Sequence, residues 1–261
     1  MPHPATPSPD PARLVRGRLS LHLASDLDGT WIPAPDRLEG LRRLEAFLGG
    51  HPGISLTFAT GRGLASALAL LERWAGRLPD HLVTDVGTAL HHRTADGRWS
   101  EDQAYALWAG ARWPAGLERR IRRADLPEGV RAQPGVATVR RLALEVEPGV
   151  SLADAADRLR EALERLDLPA QILPSHGRYL DVLPPGVDKG SAVMHLGLPL
   201  ALVACGDSEN DLSLWRVADL PVLMADSALA PMLPGMVRPR APGPEGILEV
   251  LRELWTRGGG G

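Results

Sequence analysis

Four short, predominantly apolar runs constrain the fold of this chain more than any other feature of its sequence. Leu21–Ala24, Ile54–Ala59 and Leu200–Cys205 each end in turn-forming or charged residues, and a shorter apolar run lies within Asp80–Leu90. A run that is hydrophobic on both faces is typical of a buried strand in a parallel sheet. Because such sheets bind ligands at the carboxyl ends of their strands, functional residues are expected directly after these runs.

Helical patterns follow the first two runs and predict strand–helix units. Arg37–Leu48 carries leucines three and four residues apart, and a second helix is expected from Leu64 to about Trp74. With the run near residue 80 counted as a third unit, the succession favours a parallel sheet. The later elements predicted are a helix Ser191–Leu196, a strand near Leu220–Met224 and a helix Ile247–Trp255.

The middle of the chain has a different pattern, which predicts a second domain. Residues 91–125 are polar, and the tryptophans at 99, 108 and 113 suit either packing in a small core or stacking on a sugar. Strands with one exposed face, inserted between parallel units, indicate a small α+β domain. The predicted elements are a strand within Thr138–Glu147, a helix Ser151–Leu166, and strands Gln171–Leu173 and Arg178–Leu183 around a turn at Pro174–Gly177.

These patterns divide the chain into a leader, a core and an insert. The Pro-rich residues 1–18 are expected to be disordered, as is the tail Gly258–Gly261. The core domain is expected to comprise 19–88 and 185–257, and the inserted α+β domain to comprise 89–184.

The composition excludes several classes of function. A net charge of −3 over 261 residues gives no basic surface for nucleic acid. The single cysteine, Cys205, excludes an intramolecular disulfide and a multi-cysteine zinc site, and its apolar neighbours predict a buried, inert thiol. No apolar run approaches the roughly 18 residues of a membrane span, and the N-terminus lacks a signal-peptide centre. We therefore expect a soluble, cytoplasmic protein without a membrane partner, whose oligomeric state the sequence does not indicate.

Two aspartates follow the first apolar run. Asp26 and Asp28 would point to one face if the strand continued, but Gly29 indicates a bend that aims them differently. Two carboxylates in two environments can divide the roles of nucleophile and general acid or base. The alternative interpretation is an acidic turn between a strand and a helix cap.

The other strand ends also carry polar motifs. Thr60-Gly61-Arg62 joins a strand to a helix and offers a hydroxyl and helix-start amides to an anion such as phosphate, unless Thr60 is an ordinary N-cap. Lys189 opens a helix after the insert, where a solvated lysine is the alternative. Gly206–Asp211, with the sequence GDSEND, brings a further acidic cluster to the end of a strand.

Together, the motifs DLDGT, TGR, DK after the insert and GDSEND resemble those of the haloacid dehalogenase (HAD) superfamily of phosphatases and phosphomutases. The resemblance covers the chain outside its leader and tail. The segments DVGTALHH and YLDVLPPGVDKG, together with Trp31 after DLDGT, are similar to the sucrose-phosphatase-like branch of subfamily IIB. This resemblance implies an α/β fold with a Rossmann-like parallel sheet core and a small inserted α+β cap domain of the C2B type.

The resemblance also implies a role for each matched residue. Asp26 would attack phosphorus to form an aspartyl-phosphate, and Asp28 would protonate the leaving oxygen and later activate water. A Mg²⁺ ion would offset the repulsion between carboxylates and phosphate. Its implied ligands are Asp26, the main-chain carbonyl of Asp28, Asp207 and Asp211, with Asn210 in support. The implied phosphate contacts are Thr60, the Gly61 amide and Lys189, while Arg62 can equally face the cap or a surface carboxylate.

The implied activity is hydrolysis of a small phosphate ester, either a sugar phosphate or a phosphorylated glycoside. Two alternatives stay open, namely a phosphomutase of hexose phosphates and a non-catalytic phosphosugar-binding protein on the same scaffold. His176 and Arg178, in a turn of the insert, are candidate sugar contacts. The loop Ala225–Ser227 departs from the glycine-asparagine-alanine type of loop expected there, so the family's substrate is not carried over.

Overall fold

The computed structural model describes residues 20–32, 38–74, 76–123, 126–136, 138 and 140–258. The predicted disordered leader, residues 1–18, lies outside the described residues, as does the predicted tail except Gly258, which ends the last helix. Arg37, the predicted start of the first helix, also lies outside them, and that helix is described from Leu38. None of the helices in the described part of the chain combines the length and apolar character needed to span a bilayer.

Strands and helices alternate along most of the described chain. The strands are β1 (Leu21–Ser25), β2 (Ile54–Ala59), β3 (His81–Thr84), β4 (Ala89–Arg93), β5 (Trp99–Glu101), β6 (Val130–Ala132), β7 (Leu142–Val146), β8 (Gln171–Ser175), β9 (Tyr179–Leu183), β10 (Leu202–Gly206) and β11 (Leu220–Leu223). The helices are α1 (Leu38–Gly49), α2 (Leu64–Trp74), α3 (Gln103–Ala111), α4 (Leu117–Arg123), α5 (Leu152–Arg165), α6 (Lys189–His195), α7 (Leu212–Val217) and α8 (Gly243–Gly258). Two short 3₁₀ turns comprise Asp85–Gly87 and Glu209–Asp211.

By its internal contacts the chain divides into two compact units. The first comprises residues 1–57, 198–207 and 215–261, and the second comprises residues 58–197 and 208–214. The division into a core and an insert at 89–184 stays a prediction.

The first unit contains parallel strand pairs, as the apolar runs predicted. β1 pairs in parallel with β10, and β10 pairs in parallel with β11. Every residue of β1 and β10 is buried, which is expected of strands covered on both faces. Cys205 in β10 is a buried free thiol, as predicted. The α/β fold with a parallel sheet is therefore confirmed.

The first sheet strands of the second unit are antiparallel, which contradicts one prediction. β3 is followed by a 3₁₀ turn instead of a helix and pairs antiparallel with β4, which pairs antiparallel with β5. The prediction of a third strand–helix unit was therefore wrong. Residues 91–125, for which no element was predicted, contain β5, α3 and α4. β4 and β5 read ALHHR and WSE, so neither presents an apolar run that marks a strand.

A four-stranded antiparallel sheet lies in the same unit and has its own hydrophobic cluster. Its strand order is β6-β7-β9-β8, and α5, which corresponds to the predicted helix Ser151–Leu166, packs its apolar side into the cluster. Trp113 packs into this cluster, in agreement with a packing role. The predicted turn at Pro174–Gly177 begins later, because Pro174 and Ser175 belong to β8. β8 is an edge strand, where a proline that cannot donate to the ladder is tolerated.

Candidate active site

The turn after β1 gives its two aspartates different surroundings. The carbonyl of Leu27 accepts hydrogen bonds from the amides of Trp31 and Ile32, at 3.0 and 2.8 Å, which closes the turn tightly. The amide of Asp26 donates to the carbonyl of Cys205 in β10 at 2.9 Å, so the first aspartate still follows the sheet. Asp26 is buried, with 4% of its surface exposed, whereas Asp28 is half-buried.

Asp207 packs against the same turn. Gly29 has a φ of 77°, and a Cβ at this position would lie 2.6 Å from Oδ2 of Asp207. Only glycine therefore fits, both for its conformation and for the close approach of the carboxylate. The Thr30 hydroxyl donates a long hydrogen bond of 3.4 Å to Oδ1 of Asp207. Carboxylate oxygens of Asp26 and Asp207 lie within 4.8 Å of one another.

Ser227 supports Asp207 from the loop that departs from the family pattern. Its hydroxyl donates to the main-chain carbonyl of Asp207 and accepts from the amide of Leu229 at 3.1 Å. Sequence reasoning treated this loop only as a departure and did not identify the contact. The sequence around Ser227 does not indicate this contact, because its partner Asp207 lies 20 residues earlier in the chain.

Lys189, in the second unit, is fully buried. Its Nζ donates to Oδ1 of Asn210 at 2.6 Å and to Oδ1 of Asp211 at 2.7 Å. Asp211 in turn accepts the amide of Ser208 through Oδ2 at 3.2 Å. The alternative interpretation of Lys189 as a solvated lysine is therefore wrong. The structure brings Lys189, Asn210 and Asp211 together.

Lys189 is also the only lysine in a sequence that contains 29 lysines and arginines in total. Every other basic side chain of the two types is an arginine, so the composition of this chain strongly disfavours lysine. The guanidinium of an arginine is planar and spreads its charge, whereas the ammonium of a lysine is a compact charge with three hydrogen-bond donors. At position 189 the ammonium donates to two neighbouring oxygens and is fully buried.

The loop after β2 is shaped by Thr60. Thr60 is buried, its amide donates to the carbonyl of Val83 at 2.9 Å, and its hydroxyl accepts the amide of Arg62 at 3.1 Å. Because α2 begins only at Leu64, Thr60 is not its N-cap, and the ordinary N-cap interpretation is wrong. Gly61 is half-buried, and the guanidinium of Arg62 donates to the hydroxyl of Ser66 on α2 at 3.0 Å.

The two candidate sugar contacts lie in the exposed turn between β8 and β9. Arg178 donates to Oε2 of Glu145 at 3.0 Å and lies over the ring of Tyr179. The amide of His176 donates to Oε2 of Glu209 at 3.2 Å, so this turn contacts the 3₁₀ turn that contains Asp211.

Sequence reasoning also missed a buried ionic cluster in the second unit. Arg141 is 4% exposed and pairs with Asp181 at 3.0 Å and with Asp85 at 3.5 Å. Burial raises the pKa of both carboxyls, and the guanidinium partly offsets this by lowering it. Nothing in the sequence indicated that Arg141 joins Asp85 and Asp181.

Comparison with known proteins agrees with the fold and with the motifs. The family model of sucrose-6F-phosphate phosphohydrolase matches residues 19–233. A glucosylglycerol-phosphate synthase of Pseudomonas anguilliseptica is 34% identical over 203 residues, which cover 74% of this chain but only 24% of that protein. A mannosylfructose-phosphate phosphatase of Agrobacterium fabrum (strain C58) is 31% identical over 219 residues, covering 79% of this chain and 83% of that protein.

A solved structure shows the same fold. The sucrose-phosphatase of Synechocystis sp. PCC6803, crystallised with sucrose and phosphate, superposes with a TM-score of 0.79 at 26% identity and covers 90% of this chain and 98% of its own. The α/β fold with acidic strand ends is that of the HAD-type phosphatases, as predicted. Within that class, the chain belongs to the sucrose-6F-phosphate phosphohydrolase family.

Proposed function

We propose that this chain is a Mg²⁺-dependent phosphatase that hydrolyses a phosphorylated glycoside through a covalent phosphate on Asp26. The observation that carries the proposal is the closeness of the Asp26 and Asp207 carboxylates, whose oxygens lie within 4.8 Å of one another. Two carboxylates at such a distance repel each other unless a proton or a cation lies between them. The family relationship supports the same chemistry.

The oxygen donors of this pair fit Mg²⁺, which prefers carboxylates and water. Asp26 and Asp207 would hold the ion, and we propose that the main-chain carbonyl of Asp28 and the carboxylate of Asp211 complete its protein ligands. When bound, the ion would neutralise charge on the phosphoryl group and make attack by a carboxylate feasible.

Asp26 and Asp28 divide the chemistry according to their exposure. A carboxylate oxygen of the buried Asp26 forms a bond to phosphorus while the bond from phosphorus to the sugar oxygen breaks. Asp28, which is half-buried, gives its proton to that leaving oxygen and then takes a proton from the water that attacks the phosphoenzyme. Inorganic phosphate leaves and the Asp26 carboxylate is restored.

We propose that Thr60, the Gly61 amide and Lys189 bind the phosphoryl oxygens. The support is that Thr60 and Lys189 are polar groups buried in the same unit, each fixed by further hydrogen bonds. Fixed donors of this kind stabilise developing negative charge without reorganisation. Arg62 is a weaker candidate, because its guanidinium already donates to Ser66.

The proposed substrate class is a phosphorylated glycoside. The relatives are named for glucosylglycerol phosphate, mannosylfructose phosphate and sucrose phosphate, all of which belong to that class. Across the sheet of the second unit, Arg131, Glu145 and Tyr179 are register partners, and Arg131 and Glu145 pair at 2.8 Å. Polar groups beside an aromatic ring suit sugar hydroxyls. We propose that the insert 89–184 is the cap that recognises the sugar, with His176 and Arg178 at its edge.

A panel of phosphate esters tests the proposal. It contains p-nitrophenyl phosphate, hexose monophosphates, sucrose 6-phosphate, mannosylfructose phosphate and glucosylglycerol phosphate, each with Mg²⁺ and with a chelator. We expect Mg²⁺-dependent phosphate release, with the highest kcat/KM on a glycoside phosphate. Asp26→Asn is expected to lower kcat by at least about 10⁴-fold, because nucleophile removal leaves only binding effects.

Asp157→Asn is the matched control, since Asp157 lies exposed on α5 and pairs only with a neighbouring arginine in the contacts described. It is expected to keep wild-type turnover. Activity of Asp26→Asn near that of the control would refute the nucleophile assignment. Isomerised monophosphate formed from a hexose bisphosphate would favour a phosphomutase, and no release from any ester would leave a binding protein.

A further inference from the structure

The turn between β3 and β4 has an unusual backbone. Asp85 and Val86 have φ values of 53° and 59°, and Gly87 has a φ of 102°. Left-handed backbone is uncommon for residues other than glycine, and for a β-branched residue such as Val86 it is a genuine outlier. Strained backbone persists only where its surroundings fix it, and it is concentrated at functional sites. The segment Asp85–Thr88 is called the hub turn below.

One side of the hub turn fixes the loop that contains Thr60. The amide of Asp85 donates to the carbonyl of Arg62 at 2.8 Å, and the amide of Val86 donates to the carbonyl of Thr60 at 3.1 Å. Two successive amides of left-handed residues therefore donate to the same loop. The carbonyl of Thr60 is held by one of these strained residues.

The other side of the hub turn fixes the start of α6. A Cβ on Gly87 would lie 2.0 Å from the carbonyl carbon of Asp188 and 2.4 Å from the amide nitrogen of Lys189. The phenol of Tyr105 donates to the carbonyl of Gly87 at 2.7 Å and lies 3.2 Å from the hydroxyl of Ser191. Burial raises the pKa of this phenol, so it stays a donor at all working pH values.

Arginines hold the hub turn from the four-stranded sheet. Arg141, just before β7, pairs with the Asp85 carboxylate and with Asp181 of β9. Arg140 donates through Nε to the carbonyl of Thr88 at 2.9 Å. Because Arg141 is almost fully buried, its pairing with Asp85 is little screened by solvent and can offset local strain.

We propose that the ion pair of Asp85 with Arg141 is a positioning device, which holds the hub turn in its left-handed conformation and thereby fixes Thr60 and Lys189 relative to each other. Neither residue needs to touch the substrate. The inference rests on the proposed function for the role of Thr60 and Lys189 in phosphate binding, and it adds Asp85 and Arg141, to which the family resemblance above assigned no role.

Asp85→Ala is the main test, because it removes the carboxylate while the pair of Arg141 with Asp181 keeps the cation paired. Asp167→Ala is its matched control, since Asp167 also has a positive φ, of 48°, but lies exposed in another loop. Both variants suffer the cost of alanine in a left-handed conformation. Asp85→Asn is the conservative variant, because asparagine tolerates this conformation and keeps an acceptor for the guanidinium.

Two measurements report on the two sides of the turn. The first is the inhibition constant of inorganic phosphate, together with kcat/KM for p-nitrophenyl phosphate and for the best glycoside phosphate. The second is the rate at which an amine-reactive reagent modifies Lys189, followed by peptide mass spectrometry. The second measurement is free of background from other lysine side chains, because the sequence contains no other lysine.

For Asp85→Ala we expect about tenfold weaker phosphate inhibition and about tenfold lower kcat/KM on both esters, since fixed donors act on the phosphoryl group that both share. Lys189 modification should be faster than in the wild type. Asp85→Asn should recover most of both effects, and Asp167→Ala should match the wild type in both.

Equal behaviour of Asp85→Ala and Asp167→Ala would overturn the inference and make the pair merely structural. A loss confined to the glycoside phosphate would also overturn it, because Asp85 would then be a sugar contact. If the wild type hydrolyses no ester, the proposed function fails by itself, and the Lys189 modification rates still decide whether the pair positions that lysine.

Discussion

Breaking the buried contact between Lys189 and Asp211 is expected to cost more stability than any surface change in this protein. Both side chains have no exposed surface, and Nζ lies 2.7 Å from Oδ1. Removing one partner of a buried ion pair typically costs about 3–5 kcal/mol, because the other charge stays in a low-dielectric site. Lys189→Met and Asp211→Asn should each lose about this much.

The double variant sharpens the prediction, because it removes both charges of this contact. Lys189→Met/Asp211→Asn should be about 2–3 kcal/mol more stable than the sum of the two single losses predicts, which is the upper part of the range of about 0.5–3 kcal/mol for the coupling of contacting residues. At about 2–4 °C per kcal/mol for a chain of this size, each single variant should melt about 6–20 °C lower.

Urea unfolding followed by tryptophan fluorescence measures these free energies, and the seven tryptophans of the sequence provide the signal. A chelator keeps metal binding from contributing to stability. Arg257→Met is the control, because Arg257 and Glu253 form a half-exposed pair on α8 whose loss should cost at most about 1 kcal/mol. The reasoning would be refuted if either single variant lost no more free energy of unfolding than the control does. It would also be refuted if the loss in the double variant equalled the sum of the two single losses.

Two further predictions concern Gly29 and Arg141. Gly29→Ala should raise the Mg²⁺ concentration for half-maximal hydrolysis about 10- to 100-fold, as disturbance of a ligand's supports does, because its Cβ would displace Asp207. Gly97→Ala is the control, because Gly97 also has a positive φ, of 81°, but has open space around it, and it should leave this Mg²⁺ concentration unchanged. Equal Mg²⁺ titrations of the two variants would contradict the prediction. Arg141→Met should further raise the already elevated pKa values of its two aspartate partners. A carboxyl whose pKa is higher in the folded state than in the unfolded state destabilises the fold at pH values where it is ionised, and this effect fades as the carboxyl becomes protonated. The variant's loss in free energy of unfolding should therefore be larger at about pH 8 than at about pH 5. Equal losses in urea unfolding at both pH values would contradict it.

Sequence reasoning found the predominantly apolar strands β1, β2 and β10. They are short runs with few polar residues, and each predicted run begins and ends within two residues of the observed strand. The reasoning failed for β4 and β5, because their residues are mostly polar and their partners lie along an antiparallel ladder. A continuous apolar run indicates a strand that is buried on both faces, and β4 and β5 are not buried in this way.

The contacts of Arg141, Tyr105 and Ser227 were not predictable for a different reason. Each depends on a partner at least 18 residues away, and each side chain type is common at surfaces. A local pattern contains no information on such pairs. The hub turn is the extreme case, since Asp85-Val86-Gly87 reads as an ordinary turn and its left-handed valine is visible only in three dimensions.

The second unit buries more charge than stability alone explains. Lys189, Asp211, Arg141 and Asp181 are all nearly or fully buried. Buried ion pairs often contribute no more to stability than well-packed apolar residues of the same volume. Lysine occurs in this chain only at this buried position, where the proposed function gives it a phosphate to bind. The proposed positioning role gives Arg141 a comparable reason for burial, because its partner occupies a strained turn between Thr60 and Lys189. Under these proposals, the geometry that the two cations impose on the phosphate site explains their burial better than the free energy of unfolding does.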